Sequence, residues 1–502
     1  MFEKHQDDTT SNLDILESAM YIGIDLGTSG VKSILTSTNG EILASKTVSI
    51  EVSRPKHLWS EQNPSDWWDA TCTSIKALSE QADLSGVLAI GLAGQMHGAT
   101  LLDKNGEVLR PAILWNDGRC DEECKQIEED VPNSREITGN IMMSGFTAPK
   151  LKWVKNHEPV VFDQVRKVLL PKDYLRFKMS GDYASDMSDS AGTMWLDVKA
   201  RDWSDDLLAA CGLTREHMPK LYEGTDITGH LSAELAEEWG MKQVPIIAGG
   251  GDNAAGAIGV GITQAGSAML SLGSSGVYFA VSSNFISNPE QALHSFCHAL
   301  PNKWHTMSVI LSAASCLKWV ADMTGFADVA TMIEDVQNNA DRNSKLVFLP
   351  YLSGERTPHN NPNATGMFFG MTHSTTRLEL AQAVLEGVGF AFADGFDALH
   401  DTETAPEEIS LIGGGARSEY WRQMLSDITG FSLVYRQGGE VGASLGAARL
   451  AMLGVEGVDK VDDICPIPEL IQRHNPNSDL KGYYEDKRKI YQELYHRVID
   501  LY

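Results

Sequence analysis

The same strand–loop–strand pattern occurs twice in this chain, and the two copies are almost half its length apart. The first copy reads YIGIDLGTSGVKSIL from Tyr21, and the second reads AMLSLGSSGVYFAV from Ala268. Each copy has an apolar strand, a G-(S/T)-S-G-V loop and a second apolar strand. We interpret the pair as an internal duplication, which predicts two related domains. Because ligands bind preferentially where two domains face each other, we expect the functional site between them.

The rest of the chain indicates an α/β fold. Its 502 residues exceed what one hydrophobic core usually serves, so two domains of roughly 250 residues are expected. Asn-Gly turns at 39–40 and 105–106 join short strands, and helical segments alternate with them, which favours mixed sheets over purely parallel ones. The glycine-rich segment VPIIAGGGDNAAGAIGVGI precedes the second copy. We therefore predict a polar extension over residues 1–19, an N-terminal domain over 20–261 and a C-terminal domain over 262–502.

Composition excludes several classes of partner. A net charge of -27 argues against a nucleic-acid or anionic-membrane surface, since both need clustered Lys and Arg. Seven scattered cysteines form neither a disulfide framework nor a C-x-x-C motif, which favours a reducing cytoplasm. The start of the chain has no signal-peptide pattern, and no stretch of eighteen apolar residues occurs, so no membrane span is predicted.

The two loops have the composition of anion-binding turns. The segment GTSGVKS does not have the spacing of a P-loop, and a strand rather than a helix follows it. Glycine and serine nevertheless allow consecutive backbone N–H groups to point into one small space. Purely structural turns are the alternative for either loop alone, but the pairing favours a polyphosphate held from two sides. The candidate phosphate-contacting residues of the two loops are Gly27, Thr28, Ser29, Gly30, Lys32, Gly273, Ser274, Ser275 and Gly276.

Only the first copy carries a carboxylate before its loop. Asp25 stands where the second copy has Ser271. A carboxylate beside phosphates is repulsive unless a cation lies between them, and Mg²⁺ is the usual one. We therefore predict one magnesium site, at Asp25, directly or through water. A turn-capping role is the alternative.

Two further segments contain candidate catalytic or substrate-binding residues. In AGGGDNAAGA, Asp252 is a candidate general base for an alcohol that receives a phosphoryl group, and Asn253 could orient the substrate. The alternative for Asp252 is a helix N-cap. In GQMHGA, Met96 and His97 lie in a loop directly after a strand. Their candidate role is substrate binding.

Two weaker motifs occur in the second half. The segment IGGGARSEYW could admit a nucleotide and direct a helix N-terminus towards phosphate, with Gly413, Gly414, Gly415 and Ala416 as the candidate contacts. The segment HSFCHAL contains His294, Cys297 and His298. We interpret these three as structural because no partner ligands lie nearby in sequence.

Together these motifs resemble those of the FGGY carbohydrate kinases. GFTAPKLKWVKNH and GMFFGMTHSTTRLELAQAVLE are similar to the two family signatures. IGIDLGTSGVK, AGQMHGA, LWNDGR, PKDYLR and SDMSDSAGTMW resemble the branch that acts on D-xylulose. The resemblance implies two actin-like, ribonuclease-H-like domains with mixed sheets flanked by helices and an active-site cleft between them. It also implies that Asp252 is the catalytic base, that Asp25 helps to hold Mg·ATP, that Met96 and His97 contact the sugar, and that Gly413–Ala416 contacts adenosine.

The function expected from the resemblance is ATP-dependent phosphorylation of D-xylulose to D-xylulose 5-phosphate. One alternative is a kinase for another ketose or polyol, such as ribulose, glycerol or gluconate, because specificity depends on a few pocket contacts. The other is a non-catalytic, nucleotide-gated binding protein on the same scaffold. The sequence leaves the oligomeric state open, with a homodimer among the options.

Overall fold

The computed structural model describes residues 19–341, 343–401, 406–438 and 442–502. The extension predicted over residues 1–19 lies outside these ranges except for Ala19, which is buried. The first described strand begins directly after it, at Met20.

Two seven-stranded sheets form the centre of the fold. The strands of the first follow in the order Ile227–His230, Pro245–Ile247, Val87–Gly94, Met20–Gly27, Gly30–Ser37 and Ile42–Ser49, and Gly250–Gly251 also pairs with Val87–Gly94. The strands of the second follow in the order His294–Cys297, Trp304–Ile310, Gly276–Ser282, Ala268–Leu272, Ile409–Ile412, Leu433–Arg436 and Leu470–His474. The residues of the first sheet all precede those of the second.

The two sheets repeat one arrangement. Met20–Gly27 pairs antiparallel with the strand after its loop and parallel with Val87–Gly94. Ala268–Leu272 likewise pairs antiparallel with Gly276–Ser282 and parallel with Ile409–Ile412. The prediction of an α/β fold with mixed sheets is confirmed, and the repeated sequence pattern corresponds to a repeated hairpin at the centre of each sheet.

Five two-stranded sheets lie outside the large ones. They pair Glu61–Gln62 with Ala112–Ile113, Thr100–Leu102 with Lys167–Leu169, Ala184–Asp186 with Lys220–Tyr222, Leu196–Asp197 with Asp202–Trp203, and Val347–Leu349 with Met367–Phe369.

Helices cover the sheets, and local sequence explains where several of them begin. Asn63 caps the helix Pro64–Ser79, and its side chain accepts a hydrogen bond from the Ser65 N–H. Thr376 and Glu379 form a capping box at Arg377–His400. The other described α-helices are Asp121–Asp130, Ser134–Thr138, Thr147–His157, Pro159–Phe162, Pro171–Ser180, Met187–Ala191, Asp205–Ala210, Ala233–Trp239, Asp252–Gly259, Ala314–Thr324, Val329–Asn339, Glu419–Thr429, Ala443–Glu456, Val461–Ile464 and Lys481–Val498.

One helix from the second half of the chain packs on the first sheet. A β-carbon on Gly23 would lie 2.0 Å from the carbonyl oxygen of Ser444, and one on Gly91 would lie 1.9 Å from that of Ala447. Only glycine at these strand positions allows Ala443–Glu456 to approach so closely. The same helix approaches Asp252–Gly259, since a β-carbon on Gly446 would lie 1.7 Å from the Ala255 carbonyl oxygen. Residues beyond 262 therefore complete the packing of the first sheet.

The edge hairpin of the second sheet, His294–Cys297 and Trp304–Ile310, packs against residues of the first half of the chain. The Asn140 side-chain amide donates to the Ser295 carbonyl at 2.9 Å and accepts from the Ser295 N–H at 3.0 Å. The Trp304 indole N–H donates to the Val198 carbonyl at 2.9 Å. The two halves are thus joined by polar contacts as well as by apolar packing.

Candidate active site

The first loop, Gly27–Gly30, is a tight turn whose backbone is held from one side. Gly27 and Gly30 are paired residues of the hairpin, and Ile50 N–H donates to the Ser29 carbonyl at 3.0 Å. A β-carbon on Gly30 would lie 2.6 Å from the Val48 carbonyl oxygen, so the third strand requires glycine there. Ser29 is exposed, whereas the side chain of Thr28 hydrogen-bonds to protein groups.

Asp25 ends its strand facing a basic residue and an acidic one. It lies opposite Lys32 in the hairpin register, which puts both side chains on one face of the sheet. Its Oδ1 atom is buried and has no hydrogen-bond partner among the described residues. The pKa of Asp25 is raised to about 7, mainly by burial and in addition by the charge of Asp252, while Lys32 acts in the opposite direction. An orphaned buried carboxylate oxygen next to a phosphate-type loop has the character of a cation ligand.

Asp252 stands at the start of a buried helix, at the end of a glycine strand. Gly250 and Gly251 pair with Ala93 and Gly94, and Gly251, not Asp252, is the N-cap of Asp252–Gly259. The alternative role of Asp252 as an N-cap is therefore wrong. The Asp252 side chain instead contacts the next residue. Its Oδ1 accepts a hydrogen bond from the backbone N–H of Asn253 at 2.7 Å and another from the Asn253 side-chain amide at 3.0 Å.

The environment of Asp252 suits a proton acceptor. Burial raises its pKa to about 6, and the two hydrogen bonds from Asn253 act in the opposite direction. The carboxylate is thus ionised at neutral pH but more basic than an ordinary aspartate. Asn253 is occupied in holding Oδ1, which leaves Oδ2 as the oxygen without an assigned partner in the described hydrogen bonds.

Met96 and His97 form the turn that follows the strand Val87–Gly94. Met96 packs against Gly251, where its sulfur would lie 2.8 Å from an added β-carbon. His97 has a positive φ of 69°, and its carbonyl accepts from Lys150 Nζ at 3.0 Å and from the Thr147 hydroxyl at 3.1 Å. These contacts hold a strained backbone conformation next to Asp252.

The His97 ring is neutral and has a defined tautomer. Burial lowers its pKa to about 3, and the charge of Lys150 contributes. Nδ1 lies 2.8 Å from the Gly192 carbonyl oxygen, and because a carbonyl can only accept, Nδ1 carries the proton. Nε2 is therefore an acceptor, suited to a hydroxyl group.

The second loop, Gly273–Gly276, and the glycine segment Gly413–Ala416 lie against each other. Gly413 has a φ of 86°, and a β-carbon on it would lie 3.0 Å from backbone atoms of Leu272, the residue before the loop. The Ser274 carbonyl accepts from the Ala313 N–H at 2.9 Å and from the Ser315 hydroxyl at 2.8 Å. Ser274 and Ser275 remain exposed.

The helix after the glycine segment has its own cap. Gly414–Arg417 forms a 3-10 turn, and Ser418 caps Glu419–Thr429 by accepting from the Trp421 N–H at 3.2 Å. Ser418 therefore occupies a backbone N–H at the helix N-terminus that the sequence analysis assigns to phosphate. The backbone of the glycine segment is the better candidate for a nucleotide contact.

The structure gathers the sequence-predicted residues into two groups. Asp25, the first loop, Met96, His97, Asp252 and Asn253 belong to the first sheet and its edges, whereas the second loop and Gly413–Ala416 belong to the second sheet. Sequence reasoning missed Gln62, Gln95 and Trp115, which contact Thr28. Gln95 lies directly before Met96 within an otherwise apolar strand end, and that polar residue was the available signal.

His294, Cys297 and His298 belong to a packed aromatic cluster. His294 stacks on Phe296 at 5.6 Å between ring centroids, and His298 contacts His305 edge-on at 5.8 Å. Over the described ranges, no group of three or more His, Cys, Asp or Glu side chains is arranged to hold a metal ion. Within those same residues, no helix has the length and apolar character needed to cross a lipid bilayer.

The chain matches known proteins over nearly its whole length. Residues 20–259 match the N-terminal domain of the FGGY family of carbohydrate kinases, and residues 268–455 match its C-terminal domain. The chain is 59% identical to the xylulose kinase of Escherichia coli K12 over 482 residues, which are 96% of this chain and 100% of that protein. It is also 59% identical to the xylulose kinase of Klebsiella pneumoniae over 480 residues, 95% and 99% of the two chains.

A solved structure has the same fold. The crystal structure of a xyloylose kinase from Brucella ovis superposes with a TM-score of 0.92 at 45% identity, covering 96% of this chain and all of that one. The fold, the two consecutive domain matches and the extent of the identity lead to one assignment. The chain belongs to the FGGY family of carbohydrate kinases, and it is a carbohydrate kinase with the family's two-domain actin-like fold.

Proposed function

We propose that this kinase transfers the γ-phosphoryl group of ATP to the terminal hydroxyl of D-xylulose, giving D-xylulose 5-phosphate. The observation that carries the mechanism is a pair of carboxylates: Asp252 lies close enough to Asp25 to raise its pKa. Asp25 lies near the end of Met20–Gly27, and Asp252 directly follows Gly250–Gly251. The names of the relatives at 59% identity support the choice of sugar.

Asp252 acts as the general base in this proposal. Its Oδ2 accepts the hydroxyl proton as the bond from the sugar oxygen to phosphorus forms, while Asn253 holds Oδ1. A pKa of about 6 keeps the base ionised at pH 7 and places it near the operating pH, where general-base catalysis is most effective.

The sugar is positioned by the turn beside the base. His97 Nε2 accepts a hydrogen bond from a sugar hydroxyl, because Nδ1 is committed to the Gly192 carbonyl. The Met96 side chain packs against Gly251. It thereby fixes the distance from the sugar subsite to Asp252. The amide of Asn253 provides a further polar contact once the substrate is bound.

The nucleotide is held by backbone groups from both halves. The N–H groups of Gly27–Gly30 and Gly273–Gly276 bind phosphate oxygens, Lys32 adds a positive charge on the same face as Asp25, and Gly413–Ala416 contacts adenosine. Such preorganised donors stabilise charge on the transferred group without reorganisation during the reaction.

The residues at Asp25 fit a magnesium ion. Its Oδ1 is buried without a partner, and no cluster of protein ligands accompanies it in the described residues, which agrees with an ion that takes its remaining ligands from phosphates and water. When bound, Mg²⁺ supplies charge neutralisation on the phosphates. Asp25 then loses its electrostatic conflict with the nucleotide.

The proposed setting includes a domain boundary near residue 261 and a reducing cytoplasm. All seven cysteines are free thiols, in keeping with that location. Small-molecule substrates, not nucleic acid, are the expected partners of a chain with a net charge of -27, and a homodimer remains the oligomeric state to test by light scattering.

A substrate panel tests the proposed function. ADP release is measured with Mg·ATP and D-xylulose, D-ribulose, glycerol or gluconate at equal concentrations. Selective stimulation by D-xylulose is the expected result, and selective stimulation by another of these compounds would reassign the substrate while keeping the kinase mechanism. Membership of a kinase family does not favour the non-catalytic alternative. A non-catalytic protein would bind ATP but release no ADP with any of the sugars.

A further inference from the structure

Three side chains beneath the first loop form a closed ring of hydrogen bonds. The Thr28 hydroxyl donates to Gln95 Oε1 at 3.0 Å, and Gln95 Nε2 donates to Gln62 Oε1 at 3.0 Å. Gln62 Nε2 then donates to the backbone carbonyl of Thr28 at 2.7 Å. The ring begins and ends at one residue of the loop, and it passes through the residue directly before Met96.

Two tryptophans fix the direction of every bond in the ring. The Trp67 indole N–H donates to Gln62 Oε1 at 2.9 Å, and the Trp115 indole N–H donates to the Thr28 hydroxyl at 2.8 Å. Because an indole N–H can only donate, the Gln62 atom facing Trp67 is the oxygen. Its NH₂ group therefore faces the Thr28 carbonyl, and the single Thr28 proton goes to Gln95.

The two glutamines of the ring are buried. Gln95 is 1% exposed and Gln62 is 2% exposed. The Gln95 N–H also donates to the Leu26 carbonyl at 2.8 Å, so this residue is tied to the first strand by backbone and side chain. A satisfied buried network of this kind is rigid, and losing one member leaves the others with unpaired polar atoms.

We propose that Gln95, supported by Gln62, is a positioning residue that holds the first loop and the Met96–His97 turn as one unit. The phosphate subsite and the sugar subsite are thereby kept in register for in-line transfer. The Thr28 hydroxyl is committed to this ring, which leaves its backbone N–H for phosphate. This inference rests on the proposed function, since it assigns the two segments to ATP and sugar.

Substitutions in the ring separate positioning from binding. Gln95→Met keeps the length of the side chain and removes its hydrogen bonds, and Thr28→Val removes the hydroxyl at constant shape. We expect kcat to fall at least tenfold in each variant, with both KM values changed less than threefold, because a small misplacement of reacting groups costs rate more than affinity. Thr28→Ser retains the hydroxyl and should recover most of the rate that Thr28→Val loses.

A double-mutant cycle tests whether the two residues act through one bond. The Thr28→Val/Gln95→Met protein should be no slower than the slower single variant. The proposal would be overturned if the loss of kcat in the double variant were the product of the two single losses. It would also be overturned if Gln95→Met had the kcat of the wild type. Gln81→Met is the matched control, because Gln81 is exposed and bonds only within its own helix end.

Amide hydrogen exchange tests the same inference without turnover. In Gln95→Met and in Thr28→Val, exchange should accelerate together at residues 27–30 and 95–98. Acceleration confined to the segment that carries the substitution would contradict the proposed unit. A wild-type protein inactive on every sugar would defeat the proposed function, whereas an active wild type with independent segments would defeat only this inference.

Discussion

The carboxylate of Asp252 raises the pKa of Asp25, although the two residues belong to opposite ends of the first half of the chain. The two residues come close because Met20–Gly27 and Gly250–Gly251 both pair with Val87–Gly94. Two carboxylates in one buried space repel each other, and burial adds to the cost of ionising each. A cation at Asp25 would relieve the repulsion, so the geometry links the proposed metal ligand to the proposed base.

The rate should depend on the ionisation of Asp252. Since its pKa in the ligand-free protein is raised to about 6, kcat/KM should be constant above pH 7.5 and fall towards tenfold per pH unit well below pH 6. Rates measured between pH 5 and 8.5, with activity recovered after return to pH 7.5, would check this. A rate that is unchanged between pH 7 and 5 would exclude Asp252 as the base.

Asp25 should lower the stability of the free enzyme at neutral pH. Its folded-state pKa of about 7 lies above the ordinary value of 3.8, so the folded state holds the proton more tightly and loses stability as pH rises from 4 to 7. Asp25→Asn should therefore raise the free energy of unfolding by about 2 kcal/mol at pH 8. This is less than the whole pKa shift would give if each pKa unit were converted at about 1.4 kcal/mol. Denaturant unfolding without nucleotide would measure it.

The gain from Asp25→Asn should disappear near pH 4, where the wild-type carboxyl is neutral in the folded protein. Saturating Mg·ATP should reverse the order at pH 8, because only the wild type gains the metal ligand. Equal stability of the two proteins at pH 8 would show that the buried carboxylate carries no such cost.

The buried histidines of the second sheet should make the protein sensitive to acid. Burial lowers the pKa of His305 well below 6.5, and the neighbouring His298 lowers it further. The folded state therefore disfavours the protonated form, and the stability from neutral His305 is present above pH 6.5 and lost as the pH falls below it. In the part of the chain that the structure describes, neither ring nitrogen of His305 has a hydrogen-bond partner, and the ring stacks on Phe279 at 4.3 Å.

His305→Phe should consequently stabilise the protein, by about 1 kcal/mol at pH 7.5 and by more at pH 5. Thermal unfolding at the two pH values would show a smaller acid-induced drop in Tm than for the wild type. The exposed His373 provides the control substitution His373→Phe, which should leave the acid-induced drop unchanged. An equal drop in the wild type and in His305→Phe would rule out this cause.

Gly23→Ala should disrupt the attachment of the helix Ala443–Glu456 to the first sheet. An added β-carbon would lie 2.0 Å from the Ser444 carbonyl oxygen, and backbone cannot move aside as a flexible side chain can. A loss of about 3 kcal/mol in unfolding free energy is expected, at the upper end for overpacking. Gly482→Ala, with open space around it in the C-terminal helix, should instead gain up to about 1 kcal/mol. Similar effects from the two substitutions would contradict the close approach.

Sequence reasoning reached the parts of the site that are local in the chain. The two G-(S/T)-S-G-V loops, Asp25 and the glycines before Asp252 each have a signature within about ten residues, because a tight turn or close backbone approach restricts which residues fit. The capping of Asp252–Gly259 by Gly251 was missed, since aspartate is the commoner N-cap and nothing local indicated that its side chain turns to Asn253.

Contacts distant in sequence were not predictable in the same way. The ring of Thr28, Gln62 and Gln95 joins three separate segments, and a glutamine at a strand end has no periodic pattern. Ala443–Glu456 is rich in alanine and glycine, which indicates close packing but not against which sheet. Only the assembled fold shows that it faces Gly23 and Gly91.

The most direct test of the proposed mechanism compares wild type with Asp252→Asn in ADP release with Mg·ATP and D-xylulose. The wild type should be stimulated strongly and selectively by D-xylulose, and Asp252→Asn should lose about 10²- to 10⁴-fold in kcat while unfolding at a similar temperature and still binding ATP. An Asp252→Asn enzyme with near-wild-type kcat, or a wild type that D-xylulose does not stimulate, would contradict it.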